Sequence, residues 1–164
     1  MDAKPEFLYH GSSRKIEGAL EPVLVKSSED HLHDLPAVFA TDDIAAASLF
    51  LMPSDALFSI GREQDISYVC IWGTPEEFAE KDRGGYLYLL PSETFMKRGK
   101  DYEWQSDVAV MPSEIRHYDS SLEGMSQNGV RVYFINNHAL FDRIQAKKEP
   151  RLEILKDVKP WGDQ

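Results

Sequence analysis

The chain has 164 residues, of which 42% are hydrophobic and 28% charged, and it carries a formal net charge of −10 at pH 7. That length suits one domain spanning 1–164 with a substantial core, and the apolar share excludes wholesale disorder. The acidic balance, with no stripe of Lys or Arg, speaks against nucleic acid as a partner, because binding a phosphate backbone needs concentrated positive charge.

The start, Met1-Asp2-Ala3-Lys4-Pro5-Glu6, is polar and unlike a signal peptide, and no apolar run reaches membrane length. A cytoplasmic chain without membrane association is therefore expected. Phe7-Leu8-Tyr9-His10-Gly11-Ser12 reads as a buried strand with His-Gly at its exit. A strand holds an imidazole still, and glycine lets backbone approach a ligand with no Cβ in the way. The same residues fit the start of a turn, which Ser12-Ser13 would continue. Arg14 to Leu24 is a turn and a short extended piece, with Pro22 barring a helix. Ser27 to Pro36 is polar and contains His31, His33 and Asp34. A His-x-His pair on a strand can share a metal. The loop-like setting and the lack of a further ligand favour a solvated or lid-like loop, so no metal is expected. Two histidines there would let the loop respond to pH.

Ala37 to Thr41 is a second short strand, and Thr41 or Asp42 can cap a helix from Asp43 to about Met52, stopped by Pro53. Ile44, Ala47 and Leu51 form its buried face, while Phe50 could join the core or cover a cleft. Ile66 to Trp72 is a strand rich in β-branched and aromatic residues, and Cys70 within it suits a small buried hydrophobe rather than a nucleophile. With that single cysteine, an internal disulfide and a multi-cysteine zinc site are excluded. Thr74-Pro75-Glu76-Glu77 opens a short helix with a cap, a proline and first-turn acids. Gly84-Gly85 turns into a strand from Tyr86 to Leu90, and Pro91 to Lys100 is a polar excursion carrying Phe95 and Met96. Tyr102 to Ile115 is extended and broken by Pro112. Val130 to Ile135 is a last clear strand, after which Asn136 or Asn137 caps a helix to about Lys148. Leu152, Ile154, Leu155 and Val158 in the tail suit a strand or an appended segment. Six or more strands with irregularly placed short helices give an α+β fold with a mixed or antiparallel two-sheet core.

Three stretches, Tyr9-His10-Gly11-Ser12, then Val38-Phe39-Ala40-Thr41 with its alanine-rich helix and Phe50, then Glu103-Trp104 leading to Val110-Met111-Pro112, resemble in order and character the ADP-ribosyltransferase superfamily. The poly-ADP-ribose polymerase branch, with its His-Tyr-Glu pattern, is the more similar one. Asp101 before Glu103 echoes the paired acids of toxin-like members. The resemblance runs from about Phe7 to Ile115. It implies NAD as co-substrate, with His10 on the adenosine ribose, Gly11 offering backbone groups to the nicotinamide amide, and Phe50 or Tyr9 stacking on the ring. Ser12 and Thr41 would be further contacts, Arg14 the cation for the pyrophosphate, and Glu103 the catalytic carboxylate. Val38 departs from that pattern, standing where the branch places a tyrosine, and Phe50 is one position out of step with its stacking aromatic. The RNA 2'-phosphotransferases that share the fold need basic residues that this chain lacks.

Each residue also has a plainer role open to it. Glu103 fits a surface carboxylate on an edge strand, Phe50 fits a core ring, and Glu93 and Glu114 are rival acids. The resemblance implies ADP-ribosyl transfer to a protein or small-molecule acceptor. A non-catalytic NAD- or ADP-ribose-binding domain and a protein-interaction domain on the same fold are the alternatives.

Overall fold

In a computed structural model, described over residues 4–24, 35–99 and 101–162, nine strands form two sheets. The elements in chain order are β1 (Phe7–Ser12), β2 (Val38–Thr41), α1 (Ile44–Ser48) with a 3-10 turn at Leu49–Leu51, β3 (Phe58–Glu63), β4 (Ile66–Trp72) and α2 (Pro75–Lys81). They continue with β5 (Gly85–Pro91), β6 (Phe95–Lys97), β7 (Glu103–Ser106), β8 (Glu114–Tyr118), α3 (Ser121–Gln127), β9 (Arg131–Ile135), α4 (His138–Ala146) and α5 (Arg151–Ile154). The larger sheet has the order β6-β7-β2-β1-β5-β8 and is antiparallel throughout; the smaller has the order β3-β4-β9, with β4 and β9 parallel. The α+β class with two sheets and short helices is thus as expected.

Period-two alternation explains how the sheets bury their faces. In the larger sheet Leu8, Val38, Ala40, Tyr88 and Trp104 form one core on one face. A bridge between Leu20 and Val110 draws the connecting segments over that side. Along β4, Val69 and Ile71 pack with Leu51, Met52 and Leu122, while Tyr68 and Cys70 pack under Phe141, Ile144 and Leu155. Both faces of β4 are covered, which is why its sequence is almost continuously apolar. Burial pushes the Cys70 thiol up to about 12, so it is an inert core group, as its sequence setting suggested.

The segment from α1 through Leu51 lies between the sheets, and glycines let it sink there. A Cβ on Gly11 would overlap the Ala47 carbonyl oxygen, and one on Gly85 would lie 2.8 Å from a methyl of Leu51. On its other side Leu51 meets Gly124, where an added Cβ would be 3.0 Å away. Leu51 itself is fully buried.

Several expectations change in the structure. The helix expected from Asp43 to Met52 is regular only to Ser48, whose hydroxyl donates back to the Ile44 carbonyl at 2.7 Å and accepts from Asn128 Nδ2 at 2.9 Å. Its cap is Asp43 rather than Thr41 or Asp42, with Asp43 Oδ1 accepting from Ala45 N–H at 3.0 Å. The polar excursion after Pro91 contains β6, and the extended block from Tyr102 divides into β7 and β8. β3 and α3 were not anticipated. The β3–β4 turn is made by Gln64 and Asp65, both at positive φ (51° and 64°), where Asn-Gly would have been the recognisable signal. Of the strand or appended segment expected for the tail, the structure shows the second, α5, where the Glu63 carboxylate accepts from the N–H groups of Arg151 and Leu152 at 2.7 and 3.0 Å. The expected His31/His33/Asp34 loop lies outside the described residues.

Gly11→Ala tests the wedge directly. Backbone cannot yield as a side-chain tip can, so the variant should lose about 2 kcal/mol or more in urea unfolding. Gly85→Ala, which presses chiefly on a movable Leu51 methyl, should lose less.

Candidate functional site

The hydrogen-bonding parity of the larger sheet locates an opening in it. In an antiparallel ladder, alternate residues turn both peptide groups to the same neighbour. Ser92 N–H bonds the Glu6 carbonyl at 3.0 Å, so the even residues of β1 serve β5, and Tyr9 and Gly11 face β2. Asp42 N–H bonds the Tyr102 carbonyl at 3.3 Å, so Phe39 and Thr41 in turn face β1. One register pair, Tyr9 with Thr41, joins the two strands. The next pair would be Gly11 with Phe39, and it is not formed. The Phe39 carbonyl instead accepts from His10 Nδ1 at 2.6 Å. β1 and β2 therefore part beyond Tyr9, with the Gly11 peptide groups facing the gap.

That bond fixes the state of His10. A carbonyl oxygen only accepts, so Nδ1 carries the proton and Nε2 presents a lone pair. Burial depresses the imidazole's pKa, and the bond to Phe39 only partly opposes it, so the ring is held neutral. The Tyr88 ring lies 6.1 Å away, centroid to centroid, on the same face of the sheet.

The pleat sorts the remaining residues singled out in the sequence. Tyr9, Thr41 and Glu103 form a cross-strand row on the face that α1 covers, with Gly11 on that face too. His10 and Ser12 belong by alternation to the opposite face, and His10 reaches the seam edgewise through its bond to Phe39. Phe50 is 61% exposed, and its Cβ would lie 3.3 Å from a Cβ on Gly11, so it flanks the seam and is not a core ring. The Thr41 hydroxyl accepts from Asp43 N–H at 3.0 Å and is buried, which makes it part of the turn into α1. Ser12 Oγ accepts from the N–H of exposed Arg14 at 3.1 Å. The turn expected after His-Gly is therefore present. The carboxylate of Glu103 lies over Gly99, where a Cβ would overlap it and where φ is +84°. The rivals stand elsewhere. Glu114 is on the edge strand β8 and pairs with Arg116, and Glu93 is exposed between β5 and β6.

Packing gives glycine at position 11 a reason of its own. The direction a Cβ would take is filled by the Ala47 carbonyl, so packing of α1 demands glycine there before any ligand does.

Sequence inspection also missed Arg62. From β3 it places Nε and Nη2 at 3.2 Å from Asp43 Oδ2, and its guanidinium carbon sits 4.2 Å from the Tyr102 ring centroid. It thereby ties the smaller sheet to the start of α1 and to the residue before Glu103. A lone arginine in an unremarkable stretch carries no sequence signal for such a role. Trp104 Nε1 donates to Asp42 Oδ2 at 2.9 Å and adds a side-chain bond at the same end of the β2–β7 pair. Among the described residues no group of three His, Cys, Asp or Glu side chains could hold a metal, and no helix is long and apolar enough to cross a membrane. Comparison with family models, curated proteins and solved structures gives no significant match.

The neutral His10 has a consequence for stability. Because folding depresses its pKa, its contribution is full above about pH 6.5 and is lost as pH falls through the folded value. Urea midpoints should fall between about pH 7 and about pH 5 by more in the wild type than in His10→Gln. Equal falls would show that the ring is not held neutral in the fold.

Proposed function

We propose that the chain binds NAD at the β1–β2 seam and catalyses ADP-ribosyl transfer to a protein or small-molecule acceptor. The observation that carries this reading is the interrupted ladder at Gly11 and Phe39, with His10 locked in one tautomer beside it. The N–H and C=O of Gly11, which a strand residue turns to the same side, are complementary to a carboxamide, which has one acceptor and one donor. His10 Nε2, an obligate acceptor, suits a sugar hydroxyl. Exposed Phe50 and half-buried Tyr9 flank Gly11 with rings on which a planar heterocycle can lie. Arg14, at the end of the same strand, is the nearest cation in sequence for a pyrophosphate.

NAD would supply a ribose–nicotinamide bond whose breaking leaves positive charge on the ribose carbon. Glu103 is the residue assigned to that charge: a fixed carboxylate in a partly dry site stabilises a developing cation far better than water does. Its place in the row with Thr41 and Tyr9 keeps it on the same face as Gly11.

A second reading, ligand binding without transfer, is favoured by one observation. The Glu103 carboxylate is turned over Gly99, toward the β6–β7 turn.

Nicotinamide release from NAD decides between them. If Glu103 acts as assigned, Glu103→Gln should lower release about 10²-fold while still binding NAD. A thermal shift with NAD that His10→Ala removes, without any release, would support the binding domain instead. No release and no shift would remove both readings and leave a protein-interaction fold.

A further inference from the structure

Two buried polar side-chain atoms lack a hydrogen-bond partner among the described residues, Ser67 Oγ and Gln105 Nε2. Ser67 is on the smaller sheet, and a hydroxyl has one proton that rotates freely. Gln105 is different. It is 1% exposed, and its amide nitrogen carries two protons, so leaving it unpaired is expensive for the free protein. Folds seldom retain such a donor without a water, an ion or a ligand to take it.

The register says where that partner would sit. Gln105 pairs with Phe39 across β2 and β7, and it shares the face of Glu103, two residues away on the same strand. Phe39 is the residue whose partner on β1 would have been Gly11. β1 and β7 run in the same direction, each being antiparallel to β2. Glu103 is therefore level with Tyr9, where the seam is closed, and Gln105 is level with Gly11, where it is open. One strand spacing, about 4.8 Å, separates the Gln105 backbone from that of Phe39, the residue of β2 that borders the seam. On the other side Gln105 pairs with Met96 of β6.

We infer that Gln105 is a ligand-binding residue of the seam, its Nε2 donating to an acceptor oxygen of the bound group. This deepens the NAD reading and rests on it. It adds a side-chain donor, supplied by β7, to the backbone donor of Gly11. Glu103 and Gln105 then divide the work along one strand, the acid serving the charge at the closed end and the amide holding the ligand at the open end.

An unpaired buried donor makes a prediction of opposite signs. In Gln105→Met, which keeps the volume and removes the donor, the melting temperature of the free protein should be unchanged or higher. Affinity for a carbocyclic NAD analogue, whose nicotinamide bond does not break, should fall about tenfold, the scale of one lost hydrogen bond. Gln105→Leu should behave alike and guards against a fault peculiar to methionine. A lower melting temperature in both variants would show that the amide already has a partner in the free protein, and would overturn the assignment. Wild-type affinity in folded variants would overturn it too, while leaving the NAD site in place. If the analogue fails to bind the wild-type chain, the NAD reading and the role of Gln105 fall together.

Discussion

Burial of the segment Ile44–Leu51 between two sheets is the constraint on which the rest of the structure depends. Its backbone lies so near β1 that Gly11 must lack a side chain, and its last leucine fills space left by Gly85 and Gly124. A helix of five residues with a 3-10 continuation has little stability of its own. Its position is imposed by packing on both sides, and in return it supplies the residues that join the two cores. The alanines at 46 and 47 matter for the same reason as the glycines, since small side chains allow a close approach of helix and sheet.

α1 packs onto Gly11 at the point where the ladder between β1 and β2 is interrupted. Between β1 and β2 the fold gives up a ladder pair and replaces it with one side-chain bond, from His10 to the Phe39 carbonyl. The neighbouring strands stay in register because β1 is fully paired with β5, and β2 with β7, on their far sides. The gap is therefore local, and rigid elements bound it on both edges.

Charge is arranged around this opening in a similar way. Arg62 crosses from the smaller sheet to Asp43 and Tyr102, each of which adjoins a residue of the candidate site. Largely buried and with two nitrogens on one carboxylate oxygen, that pair is better shielded from water than the exposed ion pairs elsewhere, such as that of Lys15 with Glu17. Asp82 shows the same economy away from the site. Burial acts against its carboxylate, yet donors from Ser121, Gly84 and Leu122 outweigh that and hold its pKa below the ordinary range. Both acids act as fixed points between elements distant in sequence.

Local chemistry made much of this legible beforehand. β1 and β4 follow from apolar runs bounded by glycine, and α2 from the Thr74 cap and Pro75. The strand order, the parity that aims Gly11 at β2, and the loss of its pair with Phe39 had no local signal. Neither had Arg62 or Gln105, whose meaning lies in partners dozens of residues away. Sequence alone determined the strongly patterned strands, β1, β2, β4, β5 and β9, and the caps at Thr74 and Asn137, because those depend on neighbours along the chain. Tertiary structure alone decided which faces meet, where the β1–β2 ladder is interrupted, and why Gly11 must be glycine, because those are set by atoms that only folding brings together.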